Sequence, residues 1–307
     1  MQIAFFLLLT YGLVEEASAS SPAIAQPNCT DKCGNVKIPY PFGIGPNCYM
    51  ANWFEIVCNK TNFAAKAFLP SIGMEVMEIN ISDPYGTNTY SYYEPGLIRV
   101  KMPIISSSSC INQSSDGVDF SGTPYFFSSY RNKFISVGCD NLATMTGLDP
   151  MVVVGCKTDC KNQKLKDKQG TCSGFNCCQT TVPYGIQVLN VTFVNTQSCI
   201  HAFLAETQWL NKTDLSNGSL YLDYVPVVLE WTVSYFTAID FNEIRARHLD
   251  WDYTSYGAKY FYCLYGYEGN PYLLPGCQGN FNYQHLWFSY MHIYSHLDFT
   301  NMPTFDS

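Results

Sequence analysis

No apolar run in this chain approaches the roughly 20 residues that a membrane-spanning helix requires. The longest, Ile3 to Val14, covers twelve residues and is interrupted by Thr10 and Gly12, and Val225 to Leu229 is shorter still. Histidine is scarce and late: His201, His248, His285, His292 and His296 all follow residue 200. A Ser-His or Cys-His nucleophilic pair would therefore have to be assembled across domains. Charged residues make up only 14% of the 307, and the net charge of −8 disfavours nonspecific nucleic-acid binding, which works by neutralising phosphates. Long amphipathic helices are missing too, the one helical segment expected being about Ile200 to Leu210. No pair of carboxylates stands out as a glycoside-hydrolysing couple. His292-x3-His296 has metal-ligand spacing on a helix but lies in an atypical tail. The chain is accordingly expected to be no enzyme and to use no metal and no cofactor.

Cysteine, by contrast, is abundant. Fourteen residues, with no zinc-type double CxxC, predict disulfides and an oxidising compartment. The Ile3–Val14 run, followed by small-x-small sites at Ala17-Ser18-Ala19 and Ala23-Ile24-Ala25, reads as a secretory signal peptide, although its n-region carries no Lys or Arg. Asn-x-Ser/Thr sequons at Asn59, Asn80, Asn112, Asn190, Asn211 and Asn217 are expected to carry N-glycans; a seventh, at Asn28, has Cys29 as its middle residue. A secreted product, in the extracellular space or cell wall and without a membrane span after the leader, follows.

The cysteines form three even groups, each able to close on itself: Cys29, Cys33, Cys48, Cys58, Cys110 and Cys139; Cys156, Cys160, Cys172, Cys177, Cys178 and Cys199; Cys263 and Cys277. Connectivity stays open, except that adjacent Cys177 and Cys178 should take different partners. Alternation of Met77, Ile79 and Ile81 with Glu78 and Asn80 predicts a half-buried strand, as does that of Ile98, Val100 and Met102 with Arg99 and Lys101. Val227, Leu229, Trp231 and Val233 share a face opposite Glu230 and Thr232. Turn chemistry is dense, at Pro39-Tyr40-Pro41, Asp83 to Gly86 and Glu94-Pro95-Gly96. The expected fold is all-β: two small disulfide-rich, sandwich-like domains with short helical insertions and a C-terminal remnant. The boundaries are a leader at 1–25, a first domain at 26–146, a second at 147–256, a remnant at 257–278 and a divergent tail at 279–307.

Cys29-x3-Cys33-Gly34-Asn35-Val36-Lys37-Ile38-Pro39-Tyr40-Pro41-Phe42-Gly43-Ile44-Gly45, closed by Cys48, resembles the galacturonan-binding module of plant wall-associated receptor kinases. The likeness continues through Phe54-x3-Cys58-Asn59, Asn132-Lys133-Phe134-x2-Val137-Gly138-Cys139-Asp140, Gly155-Cys156-x3-Cys160 and Cys172-Ser173-Gly174-x2-Cys177-Cys178. It extends through Cys199-x2-Ala202-Phe203 and Trp209. Cys263-x2-Gly266-Tyr267-Glu268-Gly269-Asn270-Pro271, closed by Gly276-Cys277, resembles the end of an EGF-like repeat, with Phe261 where such a repeat has a further cysteine. The family continues into a transmembrane helix and a kinase; here residues 279–307 differ, and Gly43-Ile44-Gly45-Pro46 has no kinase context.

The resemblance implies a non-catalytic ectodomain that binds pectic homogalacturonan, with membrane-bound wall-associated kinases as further partners. A polymer of carboxylated sugars calls for cations near aromatic faces. The candidates are Lys32 and Lys37 beside Tyr40 and Phe42, Arg99 with Lys101 on one strand, and Arg131 with Lys133 next to Tyr130 and Phe134, at least two of these pairs being expected in one groove. Lys157 to Lys168, with five Lys, reads as a solvated loop. The alternatives are an ectodomain that binds a peptide or pathogen protein, as decoy or co-receptor, and a secreted carbohydrate-active enzyme.

Overall fold

The computed structural model describes residues 23–60, 64–82, 95–110, 117–146, 153–161, 172–194, 198–215, 222–233, 249–253, 259–264 and 267–279. The expectations for the leader before residue 23, for Asn112 and Asn217, for the lysines at 164–168, for His248 and for the tail from 280 fall outside these residues.

Three antiparallel sheets carry the molecule. Sheet I has six strands in the order β3 (Val57–Lys60), β4 (Ala65–Leu69), β5 (Met74–Asn80), β6 (Gly96–Pro103), β16 (Tyr224–Trp231) and β9 (Tyr125–Phe127). Sheet II runs β13 (Cys177–Thr181), β10 (Asn132–Val137), β15 (His201–Glu206), β7 (Ile105–Ser106). Sheet III runs β12 (Val153–Lys157), β11 (Leu142–Thr146), β14 (Val188–Phe193), β8 (Val118–Asp119). Three two-stranded ribbons complete the described strands: β1 (Lys32–Cys33) with β2 (Val36–Lys37), β17 (Leu249–Tyr253) with β18 (Lys259–Cys263), and β19 (Tyr267–Gly269) with β20 (Cys277–Gly279). Among the described residues helix is confined to a 3-10 turn at Asn52–Phe54 and one α-turn, α1 (Thr207–Leu210).

Period-two patterning builds β6: Ile98, Val100 and Met102 are fully buried, whereas Leu97, Arg99 and Lys101 are only half-buried on the opposite face. The buried face meets an aromatic cluster in which Phe42 stands edge-on to both Phe54 and Trp231, with ring centroids 5.1 and 5.2 Å apart. A Cβ on Gly96 would overlap the Trp231 indole, so this strand end requires glycine.

Two expectations give way to burial on both faces. The segment expected as a helix from Ile200 is mostly strand: β15 occupies His201–Glu206, and only Thr207–Leu210 is helical. His201 to Ala205 are all buried, and a strand covered on both sides loses the alternation that marks its period. For the same reason β16 is not half-buried, since Val228, Glu230 and Thr232 are as enclosed as Val227 and Leu229. The cover is sheet II, where Asn132 donates from Nδ2 to the Val228 carbonyl at 2.7 Å and accepts from the Val228 N–H at 3.0 Å.

Strands on either side of residue 147 share all three sheets, because β16 closes onto β6, β15 onto β7 and β14 onto β8. The buried core is continuous across that position. All fourteen cysteines are bridged: Cys29–Cys48, Cys33–Cys58, Cys110–Cys199, Cys139–Cys160, Cys156–Cys178, Cys172–Cys177 and Cys263–Cys277. Cys110–Cys199 and Cys139–Cys160 cross between the first two groups, so those groups do not close on themselves. Cys177 and Cys178 do take different partners.

The C-terminal remnant is docked onto the rest. Buried Asn270 donates from Nδ2 to the carbonyls of Tyr40, at 2.6 Å, and Ile24, at 3.0 Å. Tyr272 packs on Trp231 with ring centroids 5.5 Å apart. Burial pushes the Tyr272 hydroxyl up to about 12 despite its hydrogen bond to the Phe261 carbonyl.

Candidate functional site

The motif-bearing segment folds as a hairpin in which Lys32 faces Lys37 and Cys33 faces Val36, with Gly34-Asn35 as the two-residue turn. Gly34 has φ +59°, a conformation that suits glycine at such a turn. Cys33 is buried and bridged to Cys58 on β3, and the Ile38 N–H donates to the Asp31 carbonyl at 2.8 Å. A Cβ on Gly34 would collide with the Ala65 carbonyl oxygen. The hairpin thus lies against β4 on the side of Ala65 and Ala67, opposite Lys66, and β4 and β5 are its neighbours in the sheet. Both lysines project into solvent, and among the described residues neither forms an ion pair.

The second pair occupies the other face of sheet I. There Lys101 reaches Glu75 at 2.7 Å, Lys66 reaches the other oxygen of the same carboxylate at 3.2 Å, and Arg99 binds Glu206 at 2.7 Å. Burial raises the pKa of Glu75, yet the hydrogen bonds from Lys101 and Lys66 outweigh it and hold the carboxyl below its ordinary value.

The third pair flanks the start of β10. Lys133 stands opposite Ala205 and Thr181, and the Arg131 carbonyl accepts the Thr207 N–H at 2.8 Å. Glu206, facing Asn132, connects this strand end to Arg99. Glu206 thus links Arg99 to the strand end that carries the third pair, whereas Lys133, next to Asn132 along β10, takes the other face of sheet II, and Lys32 and Lys37 lie on the opposite face of sheet I from Lys101. Tyr40 is half-buried where its backbone meets Asn270, and burial raises its pKa against a hydrogen bond with Gln26.

The described sequon residues Asn59, Asn80, Asn190 and Asn211 are all exposed. Asn59 pairs with Lys66 and Asn80 with Leu97, so both stand on the face of sheet I that carries Lys101. A Cys110, Cys199 and His201 cluster has its two sulfurs joined to each other, while the His201 Nδ1 pairs with Ser106 Oγ at 2.8 Å. Sequence reasoning missed Tyr184, whose ring lies 5.3 Å from that of Tyr130. The turn signal Pro183-Tyr184-Gly185, with Gly185 at φ +70°, marks it as a side chain at a loop tip.

Fold and site together define a cystine-stapled all-β module with a cationic hairpin at its N-terminal end. Residues 29–89 match the family described as wall-associated receptor kinase galacturonan-binding. The chain is 31% identical to wall-associated receptor kinase-like 6 of Arabidopsis thaliana over 90% of its own length and 48% of that protein, and 31% identical to wall-associated receptor kinase-like 5 over 82% and 38%. It is thus related to the wall-associated receptor kinases through a region that spans less than half of these relatives. No solved structure matches the chain. Among the described residues no helix is long and apolar enough to cross a membrane.

Proposed function

We propose that this chain acts outside the cell as a non-catalytic binder of pectic homogalacturonan, and that the Lys32–Lys37 hairpin is its principal cationic contact. The observation that carries this reading is the direct cross-strand pairing of two exposed lysines inside the matched domain. Like charges placed opposite each other in an antiparallel pair are destabilising. A uronate carboxylate between the two ammonium groups converts that repulsion into charge-assisted hydrogen bonds. The hairpin is also stiff, being bridged at Cys33 and pressed against Ala65, so little ordering accompanies binding. Arg99 and Lys101 contribute a secondary basic surface partly neutralised by Glu206 and Glu75, and Arg131 and Lys133 are further cations of the third pair.

The test is retention of the oxidised protein on de-esterified polygalacturonate, with neutral galactan as control and with increasing salt. Salt-sensitive, galacturonate-selective retention is expected, and K32Q/K37Q should weaken it about tenfold, or ~1.4 kcal/mol. Folded protein that passes through the column unretained would overturn the reading in favour of a peptide ligand.

A further inference from the structure

We infer that Tyr130 and Tyr184, with Lys133, form a second galacturonan-contacting site outside the 29–89 domain; this rests on the galacturonan reading above. Strands β10 and β13 pair as far as Lys133 and Thr181. Three residues beyond each of these strand ends, in the adjoining turns, the rings of Tyr130 and Tyr184 meet, with ring centroids 5.3 Å apart and planes inclined at 59°. The two rings are 68% and 53% exposed. Scattered exposed apolar side chains need no explanation. These two meet each other and still leave most of their surface to water.

Two tilted rings make a V whose walls accept the C–H face of a sugar ring, and tyrosine offers that contact area with few rotatable bonds to freeze. The base of the V is fixed. The Arg131 N–H donates to Ser128 Oγ at 3.4 Å, the Arg131 carbonyl accepts from Thr207, and buried Asn132 is anchored by two hydrogen bonds to Val228. Lys133 gives the site its charge preference: it is half-buried on the adjoining strand, and among the described residues it forms no ion pair. Apolar walls at the end of a strand that carries a lysine fit a carboxylated sugar better than a neutral one.

A long galacturonan engaging both this site and the Lys32–Lys37 hairpin gains avidity, since its second contact is intramolecular. The site therefore matters most for long chains. The measurement is nitration of exposed tyrosines in the full, oxidised protein by tetranitromethane, mapped by mass spectrometry with and without oligogalacturonate or neutral galacto-oligosaccharide. Oligogalacturonate should slow modification of Tyr130 and Tyr184 about fivefold or more, while Tyr224, exposed to 57% on sheet I, keeps its rate. In parallel, Y130A/Y184A should cut affinity for long polygalacturonate about tenfold.

Unchanged nitration and unchanged affinity in a protein that still binds polygalacturonate would overturn this inference alone. Equal protection by the neutral sugar would overturn its uronate preference and with it the role of Lys133. Wild-type protein that fails to bind polygalacturonate at all would remove the galacturonan reading and this site together.

Discussion

The two faces of sheet I carry lysines in similar numbers and treat them differently. On the open face Lys66 and Lys101 converge on Glu75, and Arg99 is held by Glu206. An incoming carboxylate there must displace a carboxylate already in place, so the exchange gains little. On the opposite side Lys32 and Lys37 face each other across a two-residue turn, with no carboxylate partner among the described residues. Folding leaves their repulsion in place, and an external anion relieves it. What would separate a binding surface from an ordinary basic one is therefore whether the fold has already supplied the counter-ions, and the number of cations does not reveal that.

The contrast depends first on the staple that holds the hairpin. Cys33–Cys58 spans 25 residues, for which the chain-entropy model gives about 3.5 kcal/mol, against about 2 kcal/mol for the five-residue span of Cys172–Cys177. C33A/C58A should therefore lower Tm more than C172A/C177A and should abolish polygalacturonate retention, because it frees the hairpin itself. Equal effects of the two double variants on retention would show that hairpin rigidity is irrelevant to binding.

A smaller change probes the seat of the hairpin. Gly34→Ala combines a positive φ with a collision against the Ala65 carbonyl, whereas Gly73→Ala, at φ +68°, meets nothing within 4 Å. The second should cost about 1–2 kcal/mol for the left-handed conformation alone, and the first clearly more, in urea unfolding. Equal costs would mean that the hairpin is not pressed against β4.

The sequence made one of these faces far more legible than the other. Cys33-Gly34-Asn35-Val36 announces a two-residue hairpin, and from that turn the pairing of Lys32 with Lys37 follows by counting. The alternation in β6 likewise places Arg99 and Lys101 on the less buried face, whereas a bulge between Val76 and Glu78 breaks the alternation expected in β5, burying Val76 and Ile79 while Met77 stays half-buried. Their counter-ions were not legible. Glu206 lies 107 residues from Arg99, and the two meet only because sheet II folds over β16. That same cover erased the alternation in β15 and β16, turning one strand into an expected helix and the other into an expected half-buried strand. Disulfide pairing across the cysteine groups was hidden for a related reason, since β7 and β15 become neighbours through sheet topology and bring Cys110 to Cys199.

The smallest expected effect makes one face imitate the other. Glu75→Gln removes the carboxylate shared by Lys66 and Lys101 and leaves two lysines without that counter-ion, so retention on polygalacturonate should rise about two- to threefold, in keeping with the modest worth of solvent-exposed charge pairs. The same variant reads the pairing through pH. Because the folded state holds the Glu75 carboxyl below its ordinary value of 4.5, its contribution is fully present above pH 4.5 and is lost as pH falls through the depressed folded value. Wild-type protein should thus be more stable than E75Q near neutrality by a few tenths of a kcal/mol at most, and the difference should vanish in acid. If E75Q gained no affinity while the pH-dependent difference appeared as expected, the salt bridges would be real but would not be what keeps the open face from binding, and the distinction between the two faces would have to rest on shape.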